Sequence, residues 1–288
     1  VFPVYKYLLT CAAEGELFHA DDTKNRILDL QKEIKKNKEQ RVGVYTTAII
    51  SKVKDKVINL FFTGRSYAAE NLDRLLAHRI NENNAILMSD ALRLNLPRKA
   101  SVLWAKCFGH ARRNFFDYRD KYGQMVTYII RQIGKIYHND KKTIKMSDDQ
   151  RLKYHQKHSA PILIKLRRWA LKKIYLKKIE PNEELGEAFG YFFNHYKELT
   201  LFLRVPGAPI DNSVAERLIK TVILHRKNSY FFKTMMGAFV GDILMSLIAT
   251  CRSAGVSAHK FLLALHEQAD LVMSLIHIAE PTRQAEIS

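Results

Sequence analysis

The sequence predicts an α/β fold, a mixed β-sheet flanked by helices, with a large all-helical insertion late in the chain. Three observations carry that expectation. Runs rich in β-branched and apolar residues cluster before Phe108 and read as strands. Acids stand beside or just after several of these runs, at Asp21, Asp22 and Asp90. From about Phe115 to Leu203 strand signals stop and apolar residues recur at helical spacing instead.

Taken in order, residues 1–14 read as the end of a helix and Leu17–Asp21 as the first strand. Lys24–Arg41 is a charged connection with seven basic residues. Val42–Ser51 and Lys56–Thr63 are β-branched runs close enough to form a hairpin. Gly64-Arg65-Ser66 breaks the pattern, and Ala68–Ile80 places Leu72, Leu75, Leu76 and Ile80 on one helical face. Ala85–Ser89 is a short apolar run ending in Asp90, the pattern of a buried parallel strand with an acid at its carboxyl end. Ser101–Cys107 is a fifth strand, followed by a basic helix from His110 to Asp117. Helical periods then cover Val126–Tyr137, Ile162–Ile179 and Leu185–Leu203. Val205-Pro206-Gly207-Ala208-Pro209 breaks the chain. A helix starts after it, with Asp211 or Ser213 available as cap. A basic loop at His225–Asn228, an apolar helix over Met235–Cys251 and a last helix over Val256–Leu275 complete the order. The expected division is 1–115, 116–205 (the helical insertion), 206–275 and a frayed tail at 276–288.

The 288 residues, 47% hydrophobic, suffice for a real core. A net charge of +18 favours polyanionic partners, nucleic acid before anionic membrane. Asp242 interrupts the Met235–Cys251 run, which therefore reads as a buried helix and not a membrane span. Three cysteines suit a reducing cytosol, no signal-peptide pattern is visible, and the opening on Val1 reads as a piece of something longer.

Three separated acids stand at the edges of apolar elements: Asp21 with its neighbour Asp22, Asp90, and Glu216. Hard carboxylate oxygens suit magnesium, and two such ions clamp the attacking and leaving oxygens of a phosphodiester. Strand alternation sends Asp21 and Asp22 to opposite faces without saying which face matters. Glu216 also sits three residues after Ser213, which is the spacing of a capping box. Cys107-x-x-His110 is half of a zinc pattern with no second pair, so it reads as a packed cysteine and a helix-start histidine. Residues 141–180 hold 13 Lys or Arg against three acids, with Tyr154, Trp169 and Tyr175 interleaved. A charge run is usually a solvated face; the interleaved aromatics favour a nucleic-acid face, with Lys172, Lys173, Lys177 and Lys178 in its densest part.

His19-Ala20-Asp21-Asp22-Thr23, the run from Cys107 to Phe116, Ile210 to Arg217, and Gly255-Val256 together resemble the transposases of the bacterial insertion sequence 66 family. Those enzymes usually read His-Ala-Asp-Glu-Thr, Cys-Trp-Ala-His-Ala-Arg-Arg and Ile-Asp-Asn-x-x-Ala-Glu-Arg at the first three places. The resemblance covers about residues 17–265 with its motifs in order. It implies a ribonuclease H-like core with an Asp-Asp-Glu triad, split by a helical insertion before the last acid. Residue by residue, the triad falls on Asp21, Asp90 and Glu216, which selects Asp21 over Asp22. Asp90 stands in Ser89-Asp90-Ala91-Leu92, where the family usually has Ala-Asp-Gly-Tyr. The resemblance further implies two Mg²⁺ or Mn²⁺ ions, and double-stranded DNA, at element ends and target, as the partner. It also implies a possible homo-oligomer on that DNA, accessory proteins of the element, and a cytoplasmic location. Arg112, Arg113, Arg217, Arg226 and Lys227 are then the candidates for phosphate contacts. The rival readings are a catalytically silent remnant that only holds DNA, and a structure-specific nuclease on the same fold.

Overall fold

A computed structural model describes residues 1–37 and 43–268. The chain runs α1 (Phe2–Ala13), β1 (Leu17–Lys24), α2 (Leu28–Asn37), β2 (Tyr45–Val53), β3 (Lys56–Gly64), α3 (Ala68–Leu76), β4 (Ala85–Ser89) and β5 (Val102–Lys106). It continues through α4 (Phe108–Phe116), α5 (Arg119–Lys142), α6 (Asp148–His158), α7 (Ala160–Tyr175), α8 (Glu184–Asn194) and α9 (Tyr196–Leu199). The described chain closes with α10 (Ser213–Ser229), α11 (Met235–Ser253) and α12 (Ala258–Glu267). The five strands form one mixed sheet in the order β3-β2-β1-β4-β5. Two compact units emerge: residues 1–85, 93–102 and 214 onward, and residues 86–92 with 103–213.

In the first unit β1 pairs antiparallel with β2, Asp21 opposite Ala48, and β2 pairs antiparallel with β3, Ala48 opposite Phe61. Alternation then sorts the side chains. Leu17, His19 and Asp21 share a face with Ala48, Ile50, Asn59 and Phe61, while Phe18, Ala20 and Asp22 share the other with Thr47 and Ser51. The second face is covered by α1 and α3. Ser51 Oγ donates to the Ala12 carbonyl at 2.7 Å, and Asn71 Nδ2 donates to Thr47 Oγ1 at 2.6 Å. The turn into β1 passes so close that a Cβ on Gly15 would lie 2.1 Å from Ser51 Oγ, so only glycine fits there. The first face is covered by α10 and α11, with Ala48 and Phe61 packed against Ile219 and Val222.

Helix α11 is long and apolar enough by composition to cross a bilayer. It lies along β3, an end strand of the sheet, and closes that open edge. Polar side chains four residues apart meet backbone N–H groups two residues apart. Asp242 Oδ2 accepts from Thr63 N at 2.5 Å, Ser246 Oγ from Phe61 N at 2.9 Å, and Thr250 Oγ1 from Asn59 N at 3.0 Å. Two steps of about 3.3 Å along a strand match one helical turn of about 5.4 Å to within an ångström or so, which lets the ladder run for three rungs. The acid that breaks the apolar run is the first rung.

The second unit is held by a phenylalanine core and a polar pin. Phe108 meets Phe192 edge-on with centroids 6.1 Å apart, and Phe115 meets Phe189 at 4.8 Å. His155 is fully buried. Its Nε2 lies 3.2 Å from Asp140 Oδ1 and its Nδ1 2.9 Å from Ser159 Oγ, while Arg151 Nη2 donates to Asp140 at 2.7 Å. This chain ties α5, α6 and the start of α7. It has the residue types of a hydrolase triad, but Ser159 is fully buried, so it is a structural pin.

Several expectations change. The basic loop at His225–Asn228 is the last turn of α10, because no Gly or Pro interrupts the apolar stripe that runs through Val222. The charged connection after β1 contains α2, anchored by buried Ile27 and Leu30. Helix α3 stops at Leu76 rather than Ile80, since Glu14 takes the backbone N–H groups of Ile80 and Asn81. The Ile162–Ile179 period ends at Tyr175, where Lys177 turns left-handed with φ 51°. The Leu185–Leu203 period is split into α8, α9 and a 3-10 turn at Leu201–Leu203. Residue 42 at the start of the second strand, residues 269–275 of the last helix and the tail at 276–288 lie outside the described residues.

Candidate active site

The acid pair on β1 divides its labour by strand face. Asp22 turns toward α3: its Oδ1 accepts from Thr47 Oγ1 at 2.5 Å and its Oδ2 from the Ala68 N–H at 2.9 Å. That places a carboxylate on the first N–H of α3, where the helix dipole favours it. Asp21 turns to the other face, half-buried, with Oδ1 accepting the Asp22 N–H at 2.9 Å. Its cross-strand partner Ala48 packs on Ile219 and Val222 of α10. Two residues earlier on the same face, His19 is 7% exposed and lines a cavity of about 630 Å³ with Val214, Arg217, Leu218 and Thr221 of α10.

Helix α10 thus runs over the face from which Asp21 emerges. Its buried stripe is Ala215, Ile219 and Val222, and Glu216 sits half-buried on the flank of that stripe. The helix begins at Ser213, whose N–H goes to Asp211 Oδ1 at 3.1 Å. Asp211, one of the two caps the sequence offers, thus takes the first N–H of α10.

In the second unit, Asp90 follows the fully buried strand β4 and is half-buried in the loop, with Oδ1 accepting the Leu92 N–H at 3.3 Å. Ser89 Oγ receives the Trp104 indole N–H at 2.9 Å. Burial, and then the charges of Cys107 and Asp90, push the Tyr191 hydroxyl up to about 12. Lys106, read from the sequence as part of the fifth strand, is buried with Nζ 2.8 Å from His195 Nδ1. No sequence pattern marks that pair. Burial holds the Cys107 thiol up at about 11, and its Sγ accepts the Asn212 N–H at 3.3 Å. That bond fastens the segment before α10 to the start of α4.

Residues 1–239 match the family described as Transposase IS66 family. The chain belongs to that family. It is similar to Uncharacterized protein y4jD of Sinorhizobium fredii, 29% identical over 160 residues, which is 55% of this chain and 31% of that protein. It is also similar to Uncharacterized protein y4hP of the same organism, 24% identical over 164 residues, 52% of this chain and 29% of that protein. The matched stretch spans less than a third of each of these relatives.

Within this IS66-family chain the expected phosphate-contacting residues fall on separate elements. In the first unit α10 carries Arg217, exposed, and Arg226 and Lys227 in its last turn, where cations also complement the helix dipole. Arg226 Nη1 donates to the Lys24 carbonyl, so this guanidinium is committed to structure as well. In the second unit α4 carries Arg112, stacked 5.5 Å over the Phe116 ring, and exposed Arg113. Lys172, Lys177 and Lys178 are exposed at the end of α7 and just beyond it. Lys173 is partly buried and lies 5.7 Å over the Trp169 ring.

Proposed function

We propose that this chain carries the catalytic core of a DNA transposase with a ribonuclease H-like fold and an Asp21–Asp90–Glu216 triad. The observation that supports it most is the split of the acid pair. Asp22 is consumed in anchoring α3, while Asp21 is left on the face overlaid by the helix bearing Glu216. The strand order β3-β2-β1-β4-β5, with the first three strands antiparallel, agrees with that fold. The donor set fits a pair of Mg²⁺ or Mn²⁺ ions, because Asp21, Asp90 and Glu216 are hard anionic oxygens that keep partial solvent access. When bound, such a pair supplies charge for an attacking water or 3′-hydroxyl and for the leaving oxygen of a phosphodiester. The chain's own part, within the first unit, is to hold Asp21 on the sheet and Glu216 on the helix packed over that face, so that little reorganisation of these two is left to the reaction. Arg112, Arg113, Arg217 and Lys227 position backbone phosphates and carry no base information.

The deciding experiment incubates the purified chain with element-end DNA in magnesium or in EDTA. Strand cleavage only with magnesium, followed by joining of the freed 3′ end to target DNA, is the expected result. DNA retention without cleavage in either condition would leave a binding remnant, and cleavage without joining a nuclease.

The lysine-rich end of α7 gives a separate prediction. With Lys172, Lys173, Lys177 and Lys178 changed to Gln, the slope of log affinity against log salt should flatten by about 3, at roughly 0.9 for each phosphate no longer neutralised. Lys173 contributes least, being partly withdrawn onto Trp169. A slope equal to the parent's, read by fluorescence anisotropy across a salt series, would assign the charge to solubility.

A further inference from the structure

At the carboxyl end of β1 the first unit opens a second cavity, of about 730 Å³. Lys24, Arg26, Arg226 and Lys227 line it together with Tyr45 and Tyr230, and no carboxylate lines it among the described residues. From Glu216 to Arg226 is ten residues of α10, so the cavity lies about 15 Å along the helix from the proposed third acid. We infer that this cavity is a subsite for an unpaired nucleotide of the DNA strand. The inference rests on the transposase reading for its choice of polymer, and on the cavity for everything else.

Three features point past a plain backbone track. A duplex is too wide and stiff to enter a concavity of this size, so a paired strand would touch only its rim. A single unstacked nucleotide fits, and aromatic side chains among cations are what a bare base and its phosphate require. The Tyr45 ring is already set by a tilted stack on Tyr67, with centroids 4.8 Å apart. Tyr230, which lines the same cavity, is 71% exposed.

The rim is also built before any ligand arrives. Asn25 is held by Val44 O through its N–H at 2.8 Å and by Thr46 Oγ1 through its amide at 2.8 Å. Phe232 N donates to Arg26 O at 2.9 Å and Leu28 N to Phe232 O at 3.0 Å, which stitches the segment after α10 to the segment after β1. Arg226 bonds the Lys24 carbonyl across the same gap. Between these fixed points Tyr230 takes a left-handed backbone, φ 62°, which a bulky residue adopts only when its surroundings enforce it. An exposed aromatic held in that conformation on a cationic rim is placed to offer its ring, and it has no core to fill.

The test compares the full chain's affinity for a blunt duplex and for the same duplex with a three-nucleotide single-stranded extension, in EDTA so that no strand is cut. The parent should bind the extended duplex about tenfold more tightly, the range of one stacked base. Tyr230→Gly, which suits the left-handed backbone and so protects folding, should bring that ratio close to one, and Tyr230→Phe should retain it. A parent that binds both DNAs equally, or a Tyr230→Gly chain that keeps the parent's ratio, overturns the subsite. Magnesium-dependent cleavage is scored separately. A chain that cleaves without preferring the extension loses this inference alone, and one that prefers the extension without cleaving loses only the catalytic reading.

Discussion

Asp21→Asn should abolish magnesium-dependent cleavage, by about a thousandfold or more, while leaving the unfolding midpoint nearly unchanged; Asp22→Asn should do the opposite. Removing one carboxylate from a two-ion site costs several kcal/mol of transition-state stabilisation, at about 1.4 kcal/mol per tenfold. Asp21's tie to the Asp22 N–H survives in the amide oxygen of Asn. Asp22 makes short bonds to Thr47 and to the Ala68 N–H at the start of α3. An amide there loses the charge that faces the helix dipole and presents an NH₂ to one of two donors, a loss of about 1–2 kcal/mol. Glu216→Gln should behave like Asp21→Asn, because the amide keeps the side chain's shape and an acceptor oxygen but removes the charge that a magnesium pair prefers. Cleavage assays beside urea melts decide the matter. Parental cleavage by Asp21→Asn, or by Glu216→Gln, would dismiss the three-acid site.

That contrast was only half visible in the sequence. Alternation within Leu17–Asp22 says that the two acids part company, but which face α10 covers is set by Ile219 and Val222, some 200 residues later, packing on Ala48. The β-branched runs of β2 and β3 were legible because strand propensity and a short connection act locally. The end of α10 was not, since Arg226-Lys227-Asn228 is as polar as a loop while its backbone continues a helix whose apolar stripe lies further back. The insertion's helical periods were readable, but Lys177 gives no sign of a left-handed turn. Asp242 looked like a flaw in an apolar helix. Its partner is a strand edge 179 positions away, and no window along the chain contains both.

Asp242 should also give the fold a pH dependence of its own. It is 3% exposed, and burial pushes its carboxyl up to about 7, with the Thr63 N–H and hydroxyl pulling against that rise. The unfolded chain titrates the same group near its ordinary value of about 3.9. Between those two values the folded protein keeps a proton that the unfolded chain has released, so stability falls as pH rises from about 4 to 7 and levels off outside that window. At about 1.4 kcal/mol per pH unit, the loss across the window is on the order of 4 kcal/mol. Asn imitates the protonated acid: its oxygen accepts the Thr63 N–H, and its NH₂ faces a hydroxyl that already shares a 2.8 Å contact with Thr46. Urea unfolding of the parent and of Asp242→Asn, each at pH 5 and pH 8, isolates this carboxyl's share. The variant should match the parent within about 1 kcal/mol at pH 5 and exceed it at pH 8. If the difference between the two chains is the same at both pH values, Asp242 is ionised throughout, and its two bonds to Thr63 outweigh its burial.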